Sequence, residues 1–191
     1  MDIDRVRRRL AAHEPERLAE RARTQASVAT ILREGPRGAE VLFIQRAEHP
    51  DDPWSGHMAF PGGRREPGDQ NLLATAVRET REELGLDLVS AEHLGHVDDL
   101  RAVARGRRLD LVIRPQVFVW SGSAPRLTPN HEVAATVWAP VAPMIAGQHD
   151  TVRPWKEGTQ TYRMPAYDVE GRIVWGLTYR MLKTLFMVVE G

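Results

Sequence analysis

An α+β domain is the expectation for this sequence, and three observations lead to it. Strand-like and helix-like segments mix without regular βαβ alternation, which argues against a doubly wound parallel sheet. At 191 residues, the chain has room for one sizeable core but not for two full domains. Its 42% apolar and 27% charged residues suit a globular chain, and no apolar run approaches the roughly 18 residues of a membrane-spanning helix.

The elements follow from local pattern. Residues 1–24 form a helical arm rich in Arg, Glu and Ala, with Ile3, Val6, Leu10 and Leu18 as its larger apolar residues and a break near Pro15. Residues 25–191 make up the domain proper. Within it, residues 25–33 and 40–46 read as strands joined by a turn at Gly35-Pro36-Arg37-Gly38, a hairpin entering the core. A proline-containing loop at 49–56 follows, with Trp54 as a packing anchor.

A helix is expected over residues 70–84, capped by Asp69 or Asn71 and ended by Gly85. Leu73, Ala76, Val77, Thr80 and Leu84 fall in one sector of it, and Glu79, Glu82 and Glu83 project from an adjoining sector. Strands at 94–98 and 109–120 come next, joined by a basic loop at 99–108 that carries Arg101, Arg105, Arg107 and Arg108, with a bend or bulge near Pro115. The remainder reads as a strand at 134–139, a short helix at 141–146 and a polar loop. A hairpin of 161–169 and 172–175 turned at Glu170-Gly171 and a closing helix at 177–189 complete the chain.

Charge and composition restrict the partners. The formal net charge is zero, so no global field draws the chain to nucleic acid or to an anionic membrane. Arg5, Arg7, Arg8 and Arg9 are interspersed with acids and read as a solvated arm or a docking helix rather than a nucleic-acid patch. There is no cysteine, which excludes disulfides, thiolate metal sites and cysteine nucleophiles. With a charged start that lacks a hydrophobic signal core, the cytoplasm is the default compartment. His57, His96 and His131 do not share a metal-ligand spacing.

The chemistry concentrates at Glu79, Glu82 and Glu83. Like charges at i,i+3 and i,i+4 destabilise a helix by roughly 0.2–0.5 kcal/mol per pair, so the cluster is costly unless a cation sits on it. A solvated helix with an Arg78–Glu82 pair is one outcome. The other is a hard divalent ion: Mg²⁺ takes a few carboxylate oxygens, keeps several waters and draws its other ligands from substrate phosphates. The preceding Pro61-Gly62-Gly63 turn can lend it a backbone carbonyl, and Arg46, at a strand end, offers a guanidinium to a phosphate.

Arg78-Glu79-Thr80-Arg81-Glu82-Glu83-Leu84-Gly85-Leu86 resembles the second half of the Nudix box, with Thr80 at an aliphatic position. In the first half, Asp69 stands where the box has glutamate, and eight residues rather than seven separate it from Arg78. That shift is similar to a variation in the coenzyme A diphosphatase branch. Residues 41–47 followed by 56–63 resemble that branch's upstream signature, with a spacing one residue longer and no second arginine between Glu48 and Ser55, and residues 173–178 resemble a segment found late in the branch.

The resemblance implies a mixed β-sheet sandwiched between α-helices. It implies hydrolysis of the diphosphate linkage of coenzyme A or a derivative to 3′,5′-ADP and a phosphopantetheine. It places Mg²⁺ or Mn²⁺ on Glu79, Glu82, Glu83 and the Gly63 carbonyl, and makes Glu82 or Glu132 the general base. Arg78 braces the site, while Arg46, Arg105 and Arg107 bind substrate phosphates. The partner is then a small nucleoside diphosphate derivative, with ADP-ribose or a reduced nicotinamide dinucleotide as alternatives, and a non-catalytic nucleotide-binding module as a further one. Edge strands and the amphipathic arm offer surfaces for a homodimer.

Overall fold

The computed structural model describes residues 1–50, 54–104 and 107–191. Its first hairpin, β1 (Thr24–Gly35) and β2 (Gly38–Arg46), closes through facing Gly35 and Gly38 as the turn residues predict. Around it grows an eight-stranded sheet with the path β3-β2-β1-β7-β5, where β3 is Met58–Ala59, β5 is Glu92–His96 and β7 is Arg107–Trp120. β4 (Gly62–Arg64) adds to β1, β6 (Leu100–Ala104) to β7, and β8 (Val133–Pro140) to β2. β1 and β7 run parallel from Thr24 and Leu111 to Arg33 and Trp120; the other pairings are antiparallel, so the sheet is mixed.

Side-chain alternation gives this sheet two apolar faces. Ile31, Leu42, Ile44 and Phe118 point to one side, against Ala76 and Leu84 of α2 (Leu72–Leu84). Leu32, Val41, Phe43, Val117 and Val119 point to the other, where Phe43 stacks on Phe60 with centroids 5.4 Å apart. That side is closed by α1 (Ile3–Ala11), through Ile3, Val6 and Leu10, and by α4 (Gly176–Glu190), through Met181, Leu182, Leu185 and Phe186. The sheet thus lies between helices, as the fold class requires. α3 (Val141–Ile145) follows β8 directly.

Several expectations are corrected. The segment at 99–108 is largely strand: buried Leu100 and Ala102 alternate with exposed Arg101, and Ala104 faces Arg107 across the β6–β7 pair. The bulge expected near Pro115 is absent from the β1–β7 ladder, whose register runs on unshifted through Val28 and Pro115. Pro115 falls where the opposite edge of β7 changes partner from β6, ending at Ile113, to β5, starting at Gln116. The polar stretch after α3 contains β9 (Asp150–Glu157), which joins β10 (Gln160–Val169) and β11 (Arg172–Trp175) in a second, three-stranded antiparallel sheet. Pro154 is tolerated because β9 is an edge strand. The β10–β11 turn uses positive φ at both Glu170 (54°) and Gly171 (79°).

The N-terminal segment breaks before Pro15 and is tied to the sheet by two neighbouring carboxylates. Asp98 accepts the Glu16 N–H at 2.9 Å, and Asp99 accepts the Ala19 N–H at 2.7 Å. Arg114 donates to both oxygens of Asp99 at 2.8 and 2.9 Å, which neutralises this buried group.

Candidate active site

Helix α2 starts where Asn71 accepts the Ala74 N–H at 2.9 Å and stops at Gly85, whose φ of 63° no β-carbon would favour. Asn71 takes the cap, which leaves Asp69 for another task. Its carboxylate accepts Arg78 Nε and Nη2 at 3.0 Å each, the Thr75 hydroxyl at 2.9 Å and the Glu66 N–H at 2.9 Å. The Arg78 guanidinium holds the Asp69 carboxyl well below the usual carboxylate range. The same guanidinium reaches Glu82 at 2.9 Å, Glu79 at 3.1 Å and the Arg64 carbonyl at 3.1 Å, tying the turn before the helix to the helix itself.

The glutamates occupy unlike environments. Glu82 is half-exposed and pairs with Arg78. Glu83 does not project as helical spacing suggested: it is 2% exposed, and its carboxylate accepts the Gly62 N–H at 2.8 Å. Burial pushes Glu83 up to about 8; the Gly62 N–H and the Arg46 charge oppose that rise, whereas the charges of Glu79 and Glu132 add to it. Burial also raises Glu79, with Arg78 opposing.

Two glycines make this approach possible. A β-carbon on Gly62 would run into the backbone of Ser27 and Val28, and one on Gly63 would fall on the Glu79 carboxylate. The turn is therefore pressed between β1 and the helix carboxylates.

Glu132 and Arg46 arrive from the sheet. Thr128 and Asn130 donate backbone N–H groups to the carbonyls of Leu84 and Glu83, each at 2.8 Å, which docks the segment before β8 on the end of α2. Ala47 N–H then donates to the Glu132 carbonyl at 2.8 Å, placing Glu132 beside the end of β2, where a bulge falls between Gln45 and Arg46. Arg46 and Glu132 both lie close enough for their charges to act on Glu83.

The structure thus brings Glu79, Glu132 and Arg46 within electrostatic range of Glu83, sets Gly63 against Glu79, and turns Glu82 toward Arg78. Arg105 lies outside the described residues, and only the backbone of Arg107, in β7, is described. Sequence reasoning missed the Gly62 N–H as the partner of Glu83 and Thr75 as a partner of Asp69. No local signal marks either, because the first bond spans 21 positions and the second needs the turn to fold back.

Among the described residues, no group of three His, Cys, Asp or Glu side chains is gathered to hold a metal ion unaided. The donor chemistry still fits a hard divalent cation. Glu79 and Glu83 present carboxylate oxygens whose negative charge the site disfavours, and Mg²⁺ needs only one or two carboxylates besides water and phosphate oxygens.

A family model described as NUDIX domain matches residues 23–159, from the start of β1 to the end of β9. The human mitochondrial coenzyme A diphosphatase NUDT8 is 33% identical over 178 residues, covering 90% of this chain and 71% of that protein. An uncharacterized protein of Schizosaccharomyces pombe is 34% identical over 114 residues, which is 58% of this chain; they span only 35% of that relative's length. Among solved structures, a Caenorhabditis elegans Ap4A hydrolase binary complex aligns with a TM-score of 0.52 at 21% identity, covering 64% of this chain and 84% of that one, a likeness of fold.

Proposed function

Since the chain belongs to the NUDIX domain family, we propose that it is a metal-dependent hydrolase cleaving the diphosphate linkage of coenzyme A or a derivative to 3′,5′-ADP and a phosphopantetheine. The observation that carries the choice of substrate is the 33% identity with human coenzyme A diphosphatase across 90% of the chain. The reaction type rests on the convergence of Glu79, Glu83, Glu132 and Arg46 beside the Gly62-Gly63 turn.

Glu79, Glu83 and the Gly63 carbonyl are the groups that would hold Mg²⁺ or Mn²⁺, which when bound supplies charge neutralisation for the diphosphate and acidifies a water. Arg46 binds a phosphate oxygen from the sheet side. Glu132 takes the proton of the attacking water: it is half-exposed and its charge acts on buried Glu83 and part-buried Glu79, whereas Glu82 is engaged by Arg78. Arg78 acts as a positioning residue, holding Asp69, Glu79 and the turn in one geometry. Arg105 and Arg107 clamp the 3′-phosphate.

The test is product analysis with Mg²⁺ or Mn²⁺ and a panel of coenzyme A, dephospho-coenzyme A, ADP-ribose, reduced nicotinamide dinucleotide and nucleoside triphosphates. Selective, metal-dependent release of 3′,5′-ADP from coenzyme A is the expected result. Preferential cleavage of another member would discard the substrate assignment. In the same assay, Arg105→Ala is expected to weaken coenzyme A more than dephospho-coenzyme A, and equal losses would remove the clamp.

A further inference from the structure

The small sheet has two unlike faces. Strand register puts Tyr167, Val169 and Val174 on one, and all three are buried in the main core. On the other lie Trp155, paired with Tyr162; Arg153, paired with Met164; and Trp175, paired with Ala166. The rings of this second face form a chain. Trp155 and Trp175 have centroids 5.5 Å apart, His57 meets Trp175 edge-on at 4.9 Å, and the Arg153 guanidinium lies 4.4 Å above the Trp175 ring. Tyr162, at the outer end, is 43% exposed. The buried indole N–H of Trp175 has no hydrogen-bond partner among the described residues, a donor that an incoming acceptor would satisfy.

The inner end of this face adjoins the diphosphate site. The His57 carbonyl accepts the Arg46 N–H at 3.0 Å, and Met58 faces Gln45 in the β2–β3 pair. The Thr178 hydroxyl, just after β11, donates to the Met58 carbonyl at 3.0 Å, locking the two sheets together there. A group bound against Arg46 therefore has the aromatic face beside it.

We propose that this face is a base-binding subsite, in which the planar nucleobase of a nucleoside diphosphate substrate stacks on Trp155, flanked by Tyr162, with the Trp175 N–H as donor. The inference rests on the reading of the chain as a nucleoside diphosphate hydrolase. Two indoles, a phenol and a guanidinium offer π-faces and positive charge together, which suits any nucleobase. An aliphatic chain would use neither the cation nor the N–H donor.

The experiment titrates adenosine 5′-monophosphate and ribose 5-phosphate into the full chain by ligand-observed NMR, beside a coenzyme A hydrolysis assay. Wild type is expected to prefer the nucleotide, and Trp155→Leu to lose roughly 10- to 100-fold in nucleotide affinity with ribose 5-phosphate unaffected. Trp155→Phe, which keeps a ring, restores part of the loss. Tyr162→Leu, at the half-exposed end, gives a smaller loss in the same direction and guards against misfolding of the Trp155 variant. Equal binding of the two probes by wild type, or undiminished nucleotide affinity in Trp155→Leu, overturns the proposal. An altered sedimentation coefficient with unchanged nucleotide affinity would assign the face to self-association and also overturn it. Selective loss in Trp155→Leu from a wild type that leaves coenzyme A intact keeps the subsite and discards that substrate; the reverse pattern keeps the substrate and discards the subsite.

Discussion

Asp69 and Glu83 are both buried carboxylates at the same glycine turn, yet their electrostatic fates are opposite. Asp69 has a guanidinium on both oxygens, a hydroxyl and a backbone N–H, and its carboxyl is held well below the usual range. Glu83 has one backbone N–H and two acidic neighbours, and burial pushes it up to about 8. Asp99 with Arg114 and Glu40 with Arg33 are likewise buried carboxylates that each accept two bonds from a guanidinium. A buried carboxylate supplied with its own cation braces the fold. Glu83, with one backbone N–H and the opposing charge of Arg46 in a cluster of acids, is left without that full compensation.

The widest separation between the two should come from activity. Glu83→Gln keeps volume and the Gly62 bond but deletes a charge, so turnover is expected to fall on the order of 10³-fold with the fold intact; near-wild-type turnover in a steady-state assay would break the contrast. Glu132→Gln is expected to lose about 10²-fold or more in kcat while thermal unfolding stays unchanged.

Asp69→Asn should instead act on stability, costing about 3 kcal/mol in denaturant unfolding at neutral pH, because it removes the buried charge that accepts two Arg78 nitrogens. Asp69 is depressed in the native state, so its contribution is complete above its ordinary value and is lost as pH falls through the native one. The penalty should therefore shrink below about pH 4.

Glu83 has the opposite sign. Its native value lies above the ordinary 4.5, at about 8, so the folded chain holds this proton more tightly than the unfolded one. Metal-free stability is then expected to decline between those two pH values by roughly 5 kcal/mol, and the decline should flatten in Glu83→Gln. Smallest of all is Glu82→Gln, whose half-exposed i,i+4 pair with Arg78 should change stability by no more than about 0.5 kcal/mol.

What was legible in the sequence was local backbone chemistry. Asn71 and Gly85 bound α2, Gly35 and Gly38 turn the first hairpin, and Glu170-Gly171 turns the last. Periodicity also placed the apolar faces that sandwich the sheet. Glu82 and Glu83 project about 100° apart on α2, and Glu83, seven positions after buried Ala76, falls on the packed side; shared charge groups the two residues where spacing separates them. β9 escaped notice because an edge strand needs little apolar surface and tolerates Pro154. The β6–β7 pair looked like a basic loop because its arginines drew more weight than the buried alternation of Leu100 and Ala102. Sequence alone leaves Asp69 and Asn71 as equal candidates for the helix cap, because the Asp69 partner Arg78 lies nine positions away, across the turn.

The most direct test of the central claim is the proton balance of Mn²⁺ binding, measured by isothermal titration calorimetry at pH 7 in buffers of different ionisation enthalpy. If the raised Glu83 carboxyl is a ligand, wild type should release close to one proton per ion bound, and Glu83→Gln should bind far more weakly with little release. Equal affinity and equal proton release in both proteins would place the cation elsewhere and contradict the account.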